Sequence, residues 1–277
     1  MRIFVGLGWA LFALGLGWLL GNGYLDVRVA GNGTISIPVL GSLVAAVVAL
    51  VLTRWVPPRL PEGFPGEVAA QPRVGRQAAF LTGIALLFPA LLWAVPGLGR
   101  DVGYLGLKLL LFFALPLVVL ACTGGIRLPT IRPTGRWRWL GPAVVGVVFL
   151  AVLQGWPWTP SQPGIVGDPV ELLVGVVLVF LTASVGEELF YRYLLQTRLE
   201  ARLGRWPGIL ASSLLFPLMH LPTRLLVFDL ATGVAAVVVV QGTFGLVMGY
   251  LWSRYRNFWA LVAVHAGVNH LSLLWLM

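Results

Sequence analysis

The stretch Ser184-Val185-Gly186-Glu187-Glu188-Leu189-Phe190-Tyr191-Arg192 decides how the whole chain is read. It follows an apolar run from Leu172 to Ala183 and continues into Tyr193-Leu194-Leu195, so two carboxylates and a guanidinium interrupt what is otherwise a membrane helix by composition. Ionisable groups at that depth cost several kcal/mol; they face a polar interior, pair with one another and mark function. Glu188 and Arg192 are four residues apart and share a helix face, with the acid on the N-terminal side, the favourable order for an ion pair. Glu187 points about 100° away, by the helical period, and has no local partner. One acid is therefore expected to be structural and the other free to do chemistry.

Composition sets the frame for that stretch. The 277 residues are 58% hydrophobic and only 10% charged, with a mean hydropathy of +0.91. A soluble domain carries about a quarter charged residues, so the chain is expected to be an all-α, polytopic transmembrane bundle. Its apolar runs approach or exceed about 18 residues instead of alternating in ten-residue segments, which favours helices over a barrel. The net charge of +9 does not imply a nucleic-acid partner, because the arginines sit in short loops between spans. Positive-inside topology and anionic lipid account for them there. The lone Cys122 excludes a disulfide framework within the chain.

Nine spans are expected, eight if one short segment is only a half-helix. The first, Ile3 to Leu20, resembles a signal peptide, but its apolar region is too long and no small-residue cleavage site follows. Its glycines at 6, 8, 15 and 17 suggest close helix packing. A turn-rich loop, Asp26 to Ser36, contains Gly31-Asn32-Gly33. The following spans run from about Ile37 to Val56, Gln77 to Leu98, Gly103 to Cys122 and Leu140 to Gln154, then from Val170 through the opening motif. Lys108, in the fourth, is expected to snorkel to the nearer interface. The last three are Pro207 to His220, Asp229 to Trp252 and Phe258 to Met277. Placing the N-terminus in the cytoplasm puts 14 of the 19 basic residues inside: Arg2 and the groups Arg54 to Arg76, Arg127 to Arg138, Arg198 to Arg205 and Arg254 to Arg256. The positive-inside rule supports that orientation.

The other polar interruptions of apolar helix also lie in the last third. They are Phe216-Pro217-Leu218-Met219-His220, then Gln241-Gly242-Thr243-Phe244-Gly245 with Gly249, then His265-Ala266-Gly267-Val268-Asn269-His270. His265 and Asn269 share a helix face; His270 does not and is expected to be structural. Gln241, Phe244 and Gly249 suit packing, and Phe190 and Tyr191 suit core or pocket walls. At about 1.5 Å per residue, Glu187 lies roughly 15–20 Å from the cytoplasmic end of its helix, His220 about 20 Å and His265 about 12 Å. The sixth, seventh and ninth spans can therefore assemble one polar site, as bundle sites are built from facing helices.

Glu-Glu-x-x-x-Arg, Phe-x-x-x-His, a Gly-rich span and His-x-x-x-Asn, in this order, resemble the CPBP family, the CAAX-prenyl endopeptidases and bacteriocin-processing or immunity "Abi" proteins. The resemblance covers about Asp168 to Met277, an expected protease core of 168–277; residues 1–150 carry N-terminal membrane helices of unassigned role. It implies an intramembrane endopeptidase that hydrolyses a membrane-associated peptide or protein with a glutamate-activated water. By that resemblance Glu187 is the general base, His220 helps hold or activate the water, and His265 and Asn269 stabilise the oxyanion. Glu188 and Arg192 organise the site. Glu187, His220 and His265 would also make a two-His, one-carboxylate set for zinc or another divalent metal; a metal-free glutamate mechanism fits equally. A multi-pass protein of the inner cell membrane is implied, its basic cytoplasmic loops against anionic lipid. Two other readings remain open: a non-enzymatic immunity or scaffold protein, and a proton-coupled transporter, for which no internal repeat is visible.

Overall fold

The computed structural model describes residues 2–28, 36–57, 65–95, 97–99, 101–126, 135–155, 157 and 168–271. Expectations that fall on Gly31-Asn32-Gly33, Arg59, Arg127, Arg132 and the chain beyond residue 271 lie outside the described residues.

Apolar composition produces long helices: α1 (Arg2–Gly21), α2 (Val39–Trp55), α3 (Val74–Ala94), α4 (Val102–Cys122), α5 (Trp137–Gln154) and α6 (Pro169–Leu203). They are followed by α7 (Arg205–Leu215), α8 (Leu230–Tyr255) and α9 (Phe258–His270). Six of these, α1, α3, α4, α5, α6 and α8, are long and apolar enough to cross a membrane; α2, at 17 residues, is shorter. The chain is a multi-pass membrane protein, nearly all-α. The departure is a small antiparallel ladder, Asp26–Arg28 against Ser36–Pro38, in what the sequence suggests is only a turn-rich loop.

The helices that carry the polar motifs start on side-chain caps. Asp168 accepts from the backbone N–H groups of Val170 (2.8 Å) and Glu171 (3.3 Å) at the start of α6, with Pro169 at the first helical position. Asp229 does the same for α8 through Ala231 and Thr232. Asn257 caps α9 through Ala260. Each cap satisfies N–H groups that the first helical turn leaves without intrahelical partners. Arg256 ends α8 in the left-handed conformation (φ 46°), so α8 and α9 meet at a sharp corner.

α8 is the central helix: 72% of its spanning window is buried, against 11–33% for the other five. It packs on α1, α2 and α7. A side chain at Gly245 would press on Ser213 of α7 at 3.2–3.4 Å, so the glycine-rich motif of α8 is a contact face. In α1, Gly8 meets Leu210 and Gly15 meets Val239 and Ala235, whereas Gly6 and Gly17 face open space. Only two of these four glycines therefore serve the packing their spacing suggests.

Several arginines that look like loop charges are buried clamps. Arg198, fully buried, donates through Nε to Gln77 Oε1 of α3 (3.0 Å), and through its terminal nitrogens to the Gly125 carbonyl (2.5 Å) and the Leu194 carbonyl (2.7 Å). Glu200, also buried, forms an ion pair with Arg256 and accepts from Gln196 Nε2 (2.7 Å) and Ser253 Oγ (3.3 Å). The same Gln196 amide donates to the Gly249 carbonyl (2.7 Å), tying α6 to α8. Removing one member of a buried ion pair costs about 3–5 kcal/mol. Glu200→Ala is expected to lower the thermal-unfolding midpoint of the protein in detergent, on the order of 5–10 °C for a chain of this size.

Candidate active site

The helices that bring polar groups inward depart from α geometry beside those groups. α6 is α-helical over Pro169–Val179, π-helical over Phe180–Val185 and again over Glu188–Gln196, and α-helical from Thr197. Glu187 and Glu188 stand where the two π segments meet. α4 becomes π-helical at Leu110–Ala114, two residues after Lys108. α7 tightens into a 3-10 turn, Phe216–His220, with Pro217 at its start. Such irregular turns shift side chains out of α register and recur at functional sites. α9, carrying His265 and Asn269, is regular over Phe258–His270.

Glu187, Glu188, Arg192 and His265 come together in the interior, all 4% exposed or less. Glu188 stands between two cationic or polar partners: Arg192 Nε at 3.4 Å from its Oε2, and His265 Nδ1 at 2.8 Å from its Oε1. The Arg192 contact is at ion-pair distance without hydrogen-bond geometry. Arg192 also donates to Ser212 Oγ (3.2 Å), which in turn donates to the Tyr191 carbonyl (3.0 Å). With Nδ1 committed to Glu188, the His265 ring turns Nε2 toward Glu187, 3.9 Å from its Oε2. A carboxylate that fixes one imidazole nitrogen sets the orientation and role of the other.

Glu187 has a partner that local spacing does not show. Lys108 Nζ lies 2.6 Å from its Oε1, with both side chains 5% exposed or less. The lysine does not snorkel to an interface. It points inward, over the Tyr104 ring at 5.5 Å from the centroid, because the buried carboxylate across the helix gap is a better partner than an apolar path to water. The close approach depends on Gly186. Any side chain there would run into the ring of Phe113 on α4.

The remaining candidates lie at different distances from this pair. His220, at the end of the 3-10 turn, is within electrostatic range of Glu187, but no hydrogen bond joins the two. Asn269 Nδ2 donates to Ser184 Oγ (3.3 Å), one turn before Glu188. An aromatic frame holds the site: Phe112 stacks on Phe190 at 4.6 Å, and Tyr191 meets Phe216 edge-on at 5.2 Å. Phe216, 2% exposed, also lies under the Arg192 guanidinium (5.1 Å) and beside the rings of His220 (5.6 Å) and His265 (6.4 Å). Phe244 of α8 packs edge-on against His265 at 4.9 Å, giving it a place in the site wall beyond helix packing.

The residues do not fit the zinc set. Among the described residues no three His, Cys, Asp or Glu side chains converge as ligands. An ammonium holds one oxygen of Glu187, and Glu188 holds Nδ1 of His265. Sequence reasoning missed Lys108 and Gly186. The available signal was that Lys108 is the only lysine among 19 basic residues. Phe216→Ala is expected to destabilise the protein by about 3–5 kcal/mol and to loosen Arg192 and both histidines together. Urea or thermal unfolding checks the first effect, and histidine side-chain NMR the second.

Residues 169–271, about a third of the chain, match the family model "Type II CAAX prenyl endopeptidase Rce1-like". No curated protein and no solved structure matches the chain. The segment 169–271, which carries Glu187, Glu188, Arg192, His220, His265 and Asn269, is thus an Rce1-like domain of the CPBP/CAAX protease family.

Proposed function

We propose that the protein is an intramembrane endopeptidase of the inner cell membrane that hydrolyses a peptide bond of a membrane-associated protein or peptide, with a water activated by Glu187. The observation that carries this reading is the buried Glu187 carboxylate, held on one oxygen by Lys108 and facing His265 Nε2 across 3.9 Å with the other. That gap is too long for a direct hydrogen bond and suits a water bonded to both atoms.

In the proposed reaction Glu187 takes a proton from this water as its oxygen attacks the scissile carbonyl carbon. His220, within electrostatic range, helps hold the water. In this step His265 acts as the imidazolium, donating Nδ1–H to Glu188 and Nε2–H to the developing oxyanion, and the Asn269 amide joins it. Preorganised donors of this kind act strongly where water is excluded. Glu187 then gives its proton to the leaving amine nitrogen as the C–N bond breaks. Glu188 and Arg192 hold the frame. The mechanism uses no metal, in keeping with the ligand geometry.

Purified wild-type protein in detergent should cleave a membrane-associated peptide. Glu187→Gln should lower kcat by about 100- to 10,000-fold, the usual contribution of a general base. His265→Ala should cost on the order of 100- to 1,000-fold. Equal turnover in wild type and Glu187→Gln would remove the proposal, and protection of cells by the inactive variant would favour an immunity or scaffold role. Incubation with a strong zinc chelator is expected to leave the rate within about twofold of the untreated enzyme; loss of activity restored by added zinc would overturn the metal-free reading.

A further inference from the structure

Lys108 stands apart in several ways. Every other basic residue in the chain is an arginine. Lys108 lies on α4, far in sequence from the family match at 169–271, yet its Nζ is 2.6 Å from the Oε1 of Glu187. Among the described residues Glu187 is the only acid within ion-pair distance of it. The contact is built and not incidental: Gly186 admits the Phe113 ring, bringing α4 against α6 next to the acid, and the Tyr104 ring covers the ammonium from the preceding turn.

Physical chemistry makes the two groups mutually dependent. A lone ammonium or a lone carboxylate at 3–5% exposure among apolar helices would neutralise or turn outward. The choice of lysine also matters. Its ammonium is a compact point charge that occupies one side of a carboxylate, whereas a guanidinium spreads over both oxygens in a planar fork. Lys108 takes Oε1 and leaves Oε2 toward His265.

The geometry points to Lys108 as a positioning residue, the fixed counter-ion that keeps Glu187 charged and aims its second oxygen at the water. This rests on the function proposed above. When the water O–H bond breaks, its proton goes to Glu187 Oε2 and its oxygen bonds to the carbonyl carbon, whose π pair becomes the oxyanion. Glu187 is then neutral, so the positive charge of Lys108 is left to act on the new anion beside it. When the proton passes to the amine nitrogen and the C–N bond breaks, the carboxylate regains its charge and its partner. The ammonium supplies, from within the chain, a fixed positive charge at the carboxylate.

The test is a double-mutant cycle on the full-length protein in detergent, using Lys108→Met, Glu187→Gln and both together. Each single substitution leaves a buried charge without its partner and should lower the thermal-unfolding midpoint by about 5–10 °C, while the double variant returns to within about 3 °C of wild type. Lys108→Arg keeps the charge and the fold but not the one-oxygen geometry. It should hold the midpoint and lower kcat at least about tenfold, with KM changed less than about threefold. Additive losses in the double variant would overturn the pairing, and a Lys108→Arg kcat within threefold of wild type would overturn the positioning role. A wild-type protein without peptidase activity would sink the proposed function instead, while recovery in the double variant would still establish the pair.

Discussion

The structure depends on compensating negative charge inside an apolar bundle. Among the described residues the buried acids are Glu187, Glu188 and Glu200. Each has a cation against it: Lys108, Arg192 and Arg256 respectively. The three pairs differ in reach. Glu188–Arg192 closes within one helix, Glu200–Arg256 joins the end of α6 to the corner after α8, and Glu187–Lys108 joins α6 to α4. Breaking a buried pair is costly even where forming it adds little. The pairs therefore specify which helices face each other more than they add net stability.

That requirement explains the irregular helices. A straight α-helix presents a stripe of about 100° to its neighbours, and α6 must present more than that. Glu187 faces α4, Glu188 faces α9, Arg192 reaches Ser212 of α7, and Gln196 reaches the backbone of α8. The π segments on either side of Gly186-Glu187 alter the register, so that successive polar residues meet different neighbours. The 3-10 turn at Phe216–His220 plays the corresponding part for α7, placing Phe216 beneath Arg192 and beside both histidines. α9 has no such task, since His265 and Asn269 are met on one face, and it remains regular.

The legible parts of the fold and site were those written in local spacing. Apolar runs marked the long helices, and the polar interruptions on α6, at the end of α7 and on α9 were visible as short patterns within a few residues. The hidden parts were set across helices. Lys108 and Glu187 are 79 residues apart, and an isolated lysine in an apolar helix can either reach the interface or pair inward. Only the group facing it across the gap decides. Arg198 and Arg256 were hidden for the same reason. Both sit near helix ends where basic residues suit the membrane interface, and tertiary hydrogen bonds draw them inside. The glycines of α1 show the limit of pattern from the other side, since spacing alone does not say which helix faces will find a neighbour.

The division between a motif-bearing last third and a motif-free remainder therefore does not carry over to the chemistry. The family match begins at residue 169, yet the cation on its proposed base, the ring that fits Gly186 and the ring that stacks on Phe190 all come from α4. Arg198 likewise needs Gln77 of α3 and the Gly125 carbonyl beyond α4 to satisfy its guanidinium. A charge this deeply buried cannot exchange its partner for water without large cost. The segment 169–271 carries the proposed site residues, and α3 and α4 supply partners for its buried charged groups. A family motif can locate a carboxylate in sequence; which positive charge it faces depends on the particular chain.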